Sequence, residues 1–259
     1  MGSAGGNTAK VVGPDGGFRS SAEQSIGPRI QEIFEKNPCQ TLEKLENFPK
    51  YIRRQKVTRY LALYELFKCA LPMKGSIVEC GVHHGFGLMS WANFSAVLEP
   101  NNLTRRIYGF DTFSGFSRSS AQDVASQYTP KIGDLKADSF EELSSLIEVY
   151  DDNRFLGHVP KVSLIPGDIC NTAPRFIEEN PHIVISLLFM DLDLYEPTQA
   201  ALRAFLPRMP KGAIIAFDEL DNPIWPGETL ALLDEIGISS LELRRFDFDP
   251  YIAYAQIGY

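Results

Sequence analysis

The chain has 259 residues, 44% hydrophobic and 22% charged, enough for one large α/β domain whose core needs neither disulfides nor a structural metal. Its formal net charge of −8 and pI near 5.1 argue against a nucleic-acid backbone or an anionic membrane as the main partner. Cys39, Cys69, Cys80 and Cys170 form no C-x-x-C pair and have no histidine at zinc-ligand spacing, and no apolar run reaches the roughly 18 residues that cross a bilayer, so free thiols and a cytoplasmic protein are expected.

Residues 1–25 are rich in Gly and Ser and read as a flexible tail or an arm that orders on a partner. Residues 26–75 read as a helical extension: Ile30, Ile33 and Phe34 share one helical face, Pro38 interrupts, and a longer amphipathic segment runs from about Pro49 to Ala70 with Leu61, Tyr64, Leu66 and Phe67 as its apolar positions. The main domain is expected over 76–259. Ser76 to Val82 is a strand that runs through a glycine-bearing turn into the helix-like LMSWANFSAVL, a βα unit of the nucleotide-binding type. Arg106 to Asp111 is a second strand. Thr112 to Asp138 is a long Ser-rich connection, of a length that suits a lid or a substrate loop.

A helix over Phe140 to Tyr150, a strand over Val162 to Asp168 and a helix over Thr172 to Glu179 follow. Ile183 to Met190 is short, aliphatic and without helical alternation, as expected of a strand buried on both faces of a parallel sheet. Asp191 and Asp193 follow it directly. Asp191 reads either as a site carboxylate or as the cap of the next helix, Glu196 to Leu206. Gly212 to Leu220 is a fifth strand, followed by the loop DNPIWPGE and a short helix around Thr229 to Ile236. Leu241 to Phe248 and Tyr251 to Ile257 read as a terminal antiparallel hairpin. The alternation predicts a doubly wound, mostly parallel sheet closed by that hairpin, with acidic residues along the rim where open α/β sheets hold their ligands.

The rim chemistry narrows the ligand. There is no G-x-x-x-x-G-K-[ST] loop, and Gly81, Gly85 and Gly87 have the spacing G-x-x-x-G-x-G rather than that of a dinucleotide fingerprint, which leaves a nicotinamide-dependent oxidoreductase a distant reading. Glu79 beside the turn would repel a pyrophosphate, whereas a sulfonium such as S-adenosylmethionine suits its field.

VECGVHHGFG, YGFDTFSGF, PGD, MDLDLYEPTQAAL, GAIIAFDEL and WPGE, in that order over about Pro49 to the C-terminus, resemble the macrocin O-methyltransferase family of antibiotic-tailoring sugar O-methyltransferases. The resemblance implies a Rossmann-like class I methyltransferase sheet of seven strands, S-adenosylmethionine as donor, magnesium dependence, a homo-oligomer, and a deoxysugar hydroxyl on a glycosylated natural product as acceptor. It places Glu79, Gly81, His84, Gly85 and Gly87 at the methionine part of the cofactor, Asp111, Phe113 and Ser114 at the ribose, Asp168 and Ile169 at the adenine, and Asp191, Asp218 and Glu219 at the metal. The family more often has Trp-Arg or Phe-Arg where His83 and His84 stand, and Asp where Glu219 stands.

Carboxylates from two adjacent strand ends suit magnesium, which prefers oxygen ligands and leaves positions open for a sugar diol. Asp191 is the first candidate for the base, with His83 or His84 second; each histidine also reads as an exposed turn residue. Asp193 reads as a cap or a support for its neighbours. Trp225 and Tyr195 are candidates to contact the sugar, with packing on the domain an equal alternative for Trp225, while Arg53 and Arg54 read by default as a solvated face. Two other readings stand beside this one, a catechol-type or other small-molecule O-methyltransferase and a non-catalytic cofactor-binding or scaffold protein.

Overall fold

The computed structural model describes residues 21–258, so all of the expected tail except its last five residues lies outside the described residues. Those five already belong to a helix, α1 (Ser21–Lys36), followed by α2 (Thr41–Glu46), a 3-10 turn at Phe48–Lys50 and α3 (Arg54–Ala70). The rest alternates as read: β1 (Ser76–Cys80), α4 (Phe86–Leu98), β2 (Ile107–Asp111), α5 (Phe140–Asn153), β3 (Val162–Pro166), α6 (Ile169–Glu179), β4 (Ile185–Met190), α7 (Tyr195–Phe205), β5 (Ile214–Phe217), α8 (Gly227–Glu235), β6 (Arg244–Arg245) and β7 (Ala253–Gln256).

One seven-stranded sheet results, in the order β3-β2-β1-β4-β5-β7-β6, parallel from β3 to β5 and antiparallel at β7 and β6. β4 is buried along its whole length because its alternate residues feed two cores. Leu187 and Phe189 pack with Leu66, Phe67, Leu88 and Trp91 on the α3–α4 face, while Leu188 and Met190 pack with Phe176, Leu202 and Phe205 under α6 and α7. α3, assigned from sequence to the extension, is therefore a layer of the main core. Its buried positions are Ala62, Leu63, Leu66, Phe67 and Ala70, whereas Leu61, one of the expected apolar contacts, is 46% exposed. The guanidinium of Arg105, buried at the opposite rim, fixes the end of α3 by donating to the carbonyls of Ala70, Leu71 and Met73.

Several boundaries differ from the sequence reading. β4 starts at Ile185 because Ile183 donates back to Asn180 in the turn made by Pro181. The hairpin survives as a short pair: only Arg244 and Arg245 pair with Tyr254 and Ala253, because the buried carboxylate of Asp249 gathers the N–H groups of Tyr251 and Ile252 into a turn. β4 ends at Met190, as read, which leaves Asp191 directly at its tip. The four cysteines are free, and among the described residues no helix is long and apolar enough to cross a membrane.

Candidate active site

A cavity of about 290 Å³ opens at the carboxyl ends of β1 to β4, with Gly81, Asp111, Gly167 and Asp191 at the four strand ends and the 112–138 connection as its far wall. Of the sequence-predicted residues, His83, Gly81, Asp111, Asp168, Ile169, Asp191, Glu219 and Trp225 line it. Thr112, Phe116 and Ser117 join them from the connection.

The turns after β1, β2 and β4 each contain a non-glycine residue with positive φ: His83 at 50°, Phe113 at 55° and Asp193 at 61°. Such backbone costs about 1–2 kcal/mol per residue and persists only where its surroundings hold it. Here two carboxylates do so. Asp111 accepts the N–H of His83 at 2.8 Å on one oxygen and that of Phe113 at 2.6 Å on the other. Glu228, fully buried in α8, accepts from Leu192 at 2.8 Å and Asp193 at 3.2 Å, and its second oxygen accepts from Glu219 at 3.1 Å, tying the ends of β4 and β5 together.

Other expected contacts face elsewhere. Glu79 turns beneath α4, where it accepts the Trp91 indole N–H at 2.6 Å and fills the space beside Gly87. Burial first, and then the charge of Asp191, holds its carboxyl well above the usual range. Gly85 is the left-handed residue that starts α4, and His84 is exposed and is not among the residues that line the cavity. The Phe113 ring packs on Phe140 in the core, and Ser114 is exposed. Tyr195 does not reach the cavity, since its hydroxyl donates to Asp234 at 2.8 Å between α7 and α8. Trp225 is 3% exposed and packs edge-on against Phe116 and Tyr128, so it anchors the wall it belongs to.

The 112–138 connection is folded down by its own contacts. Ser117 and Arg118 both donate to Asp168, which also caps α6 by accepting from Cys170 at 2.9 Å, and Asp123 accepts the N–H of Tyr195 at 2.6 Å. Arg118 reaches Glu196 as well.

The acidic residues gather around one cation that sequence reading passed over. Arg59 of α3 donates to Asp191 at 2.6 Å and to Asp218 at 2.5 Å, with its guanidinium over the Phe189 ring. Burial, followed by the charge of Asp218, raises the Asp191 carboxyl to about 7 and that of Glu219 to about 8. Asp193 and Glu228 are raised well above the usual range, again by burial first and by Asp191 second. The carboxyl groups here outnumber the cations beside them, Arg59 and Lys56, and hard oxygen donors of this kind suit a divalent ion such as magnesium. In the arrangement present, however, Arg59 bridges two of the three expected ligands and Glu219 holds Asn222, and among the described residues no three His, Cys, Asp or Glu side chains converge to hold one ion.

Comparison with known proteins places this architecture. The family described as methyltransferase domain matches residues 78–220. The crystal structure of CalS11, calicheamicin methyltransferase, superposes with a TM-score of 0.89 at 35% identity over 100% of both chains. The apo structure of CalS11, described as a TDP-rhamnose 3′-O-methyltransferase of calicheamicin biosynthesis, gives a TM-score of 0.82 at 36% identity over 93% of this chain and 97% of that one. The O-methyltransferase NovP shares the fold, with a TM-score of 0.58 at 21% identity over 77% of this chain and 79% of its own. No curated protein matches the chain in sequence.

Proposed function

The chain belongs to the methyltransferase-domain family and is an O-methyltransferase, and on that premise we propose that it transfers a methyl group from S-adenosylmethionine to a deoxysugar hydroxyl in antibiotic biosynthesis, with magnesium at the rim of the sheet. The observation that carries this reading is the likeness to CalS11 over the whole length of both chains. Because that relative is described as acting on TDP-rhamnose, the likeness favours a nucleotide-linked deoxysugar over the finished glycosylated product that the family resemblance implied.

The residues of the cavity suit the cofactor. Each Asp111 oxygen spends one lone pair on a backbone N–H and keeps another for a ribose hydroxyl. Buried Ile169 offers an apolar wall for the adenine, and Asp168 an acceptor beside it. The acidic floor favours a cationic methionine moiety and disfavours phosphate, which confines a nucleotide-sugar diphosphate to the outer part of the cavity.

Asp191, Asp218 and Glu219 would hold magnesium, which when bound lowers the pKa of a neighbouring hydroxyl and screens the carboxylates. Asp191 is the proposed acceptor of the hydroxyl proton. His83 is the alternative, since its ring lines the cavity and partial burial, with His84 alongside, lowers its pKa and favours the neutral, accepting form. Trp225 and the folded connection keep the methyl-transfer region covered.

The test is incubation with S-adenosylmethionine and TDP-rhamnose, read by mass spectrometry for a methylated sugar. EDTA should abolish the product and magnesium restore it. Absence of methylation on every deoxysugar acceptor, nucleotide-linked or glycosidic, would refute the acceptor class, and activity indifferent to EDTA would remove the metal.

A further inference from the structure

We propose that Arg59 is a resident counter-cation of the Asp191–Asp218 pair, and that a divalent metal binds by displacing it. The proposal rests on the metal reading given above and adds a competitor to it.

Met190 and Phe217 are register partners at the ends of β4 and β5, so the next residues, Asp191 and Asp218, stand side by side at the rim. Two like charges so close, in a partly buried setting, need a cation between them. Arg59 supplies it with a separate guanidinium nitrogen to each carboxylate, Nη2 to Asp191 Oδ2 at 2.6 Å and Nη1 to Asp218 Oδ1 at 2.5 Å. A guanidinium carries a permanent positive charge and only donors, so while it sits on those two oxygens its charge and bulk oppose a second cation there. The Phe189 ring, 5.7 Å away, supports its present position, and the side chain remains 22% exposed, which leaves it a path to solvent. Arg59 thereby keeps the metal-free rim assembled, and the same contacts oppose metal entry.

Two effects of opposite sign follow. Loss of the guanidinium should weaken the metal-free fold, because Asp191 and Asp218 then face each other with only the more distant Lys56 to offset them. It should also tighten metal binding, because nothing has to leave. A purely structural arginine would give only the first effect.

The experiment titrates metal-free full-length protein with Mg2+ by calorimetry and with Mn2+ by electron paramagnetic resonance, comparing the wild type with Arg59→Gln and Arg59→Lys, and follows thermal unfolding of the same samples. Arg59→Gln should bind both ions about tenfold or more tightly than the wild type, a change of about 1.4 kcal/mol or more. Its metal-free melting temperature should fall and recover more on adding metal. Arg59→Lys, which keeps a charge but not the two-pronged contact, should lie between and serves if the glutamine variant does not fold. Affinity equal to or weaker than wild type in both variants would overturn the proposal while leaving the metal reading intact. Failure of all three proteins to bind either ion would remove the metal reading, and this proposal with it.

Discussion

Gly81 and Asp191 meet backbone to backbone where β1 and β4 end: a Cβ built on Gly81 would fall 1.8 Å from the carbonyl oxygen of Asp191. The φ of Gly81 is +93°, so a side chain there is disfavoured by conformation as well as by space. The carboxylate proposed for metal and proton is thus positioned by the absence of a methyl group at the neighbouring strand end. Gly81→Ala should lower stability by at least about 2 kcal/mol and cut methyl transfer more than stability alone would explain, because Asp191 must move. Wild-type turnover in that variant, measured below its melting transition, would show that Asp191 tolerates displacement.

Glu228 satisfies three backbone N–H groups from inside the fold. Glu228→Ala leaves them buried without an acceptor, at about 1–3 kcal/mol for each one that water cannot reach. Urea unfolding should register a loss of several kcal/mol. Glu228→Gln should lose less, since its amide oxygen still accepts but its NH2 cannot. Equal stability of the alanine variant and the wild type would mean that water replaces the carboxylate.

Trp225 fixes the 112–138 connection through Phe116 and Tyr128. Trp225→Ala should cost about 3–5 kcal/mol, the usual range for truncating a buried large aromatic. Limited proteolysis should then cut first within residues 112–138. Cleavage elsewhere, with that segment still protected, would assign the anchoring to Arg118 and Asp123 instead.

Asp168 has two separable tasks. Asp168→Ala removes the α6 cap, worth about 1 kcal/mol, together with the acceptor of Ser117 and Arg118. Asp168→Asn keeps a cap oxygen but no charge, so it should retain most of the stability while weakening S-adenosylmethionine binding. Calorimetry that finds unchanged cofactor affinity in the asparagine variant would take Asp168 out of the adenine site.

Lys161 is 5% exposed, and burial, opposed by Glu99, lowers its pKa from 10.5 to about 8. A lysine whose pKa is depressed in the folded state penalises folding wherever both states carry the proton, and the penalty disappears as pH rises from about 8 towards 10.5. The stability of the wild type relative to Lys161→Met should therefore increase between pH 7.5 and 10. A difference that stays flat with pH would place the ammonium in contact with solvent.

Much of the frame was legible in the residues. The uncharged run Ile183 to Met190 reads better as a strand covered on both faces than as a helix, and its abrupt end placed Asp191 at the rim. The glycine turn after Cys80 and the acids closing successive strands located the cavity, since ends of parallel strands converge on one edge. Arg59 was not legible. It is one arginine in an amphipathic helix, 132 residues from Asp191, and the adjacent Arg53 and Arg54 draw more notice. For Glu228 there was a signal, a single acid opening the apolar turn TLALL, but its meaning depends on α8 folding back across two strand ends. Tyr195 lies outside the cavity lining because the first turn of α7 points its hydroxyl at α8, a direction that spacing alone does not encode.

What the sequence determined by itself is the alternation of strands and helices, the buried central strand and the chemistry of the rim, because periodicity and residue type act locally. Only the tertiary structure decided which rim groups meet. Asp111 holds two left-handed turns, Glu228 joins β4 to β5, and Arg59 crosses from α3 to neutralise Asp191 and Asp218. Those pairings follow from how the helices dock on the sheet, and buried charges select partners by distance in space rather than by separation along the chain.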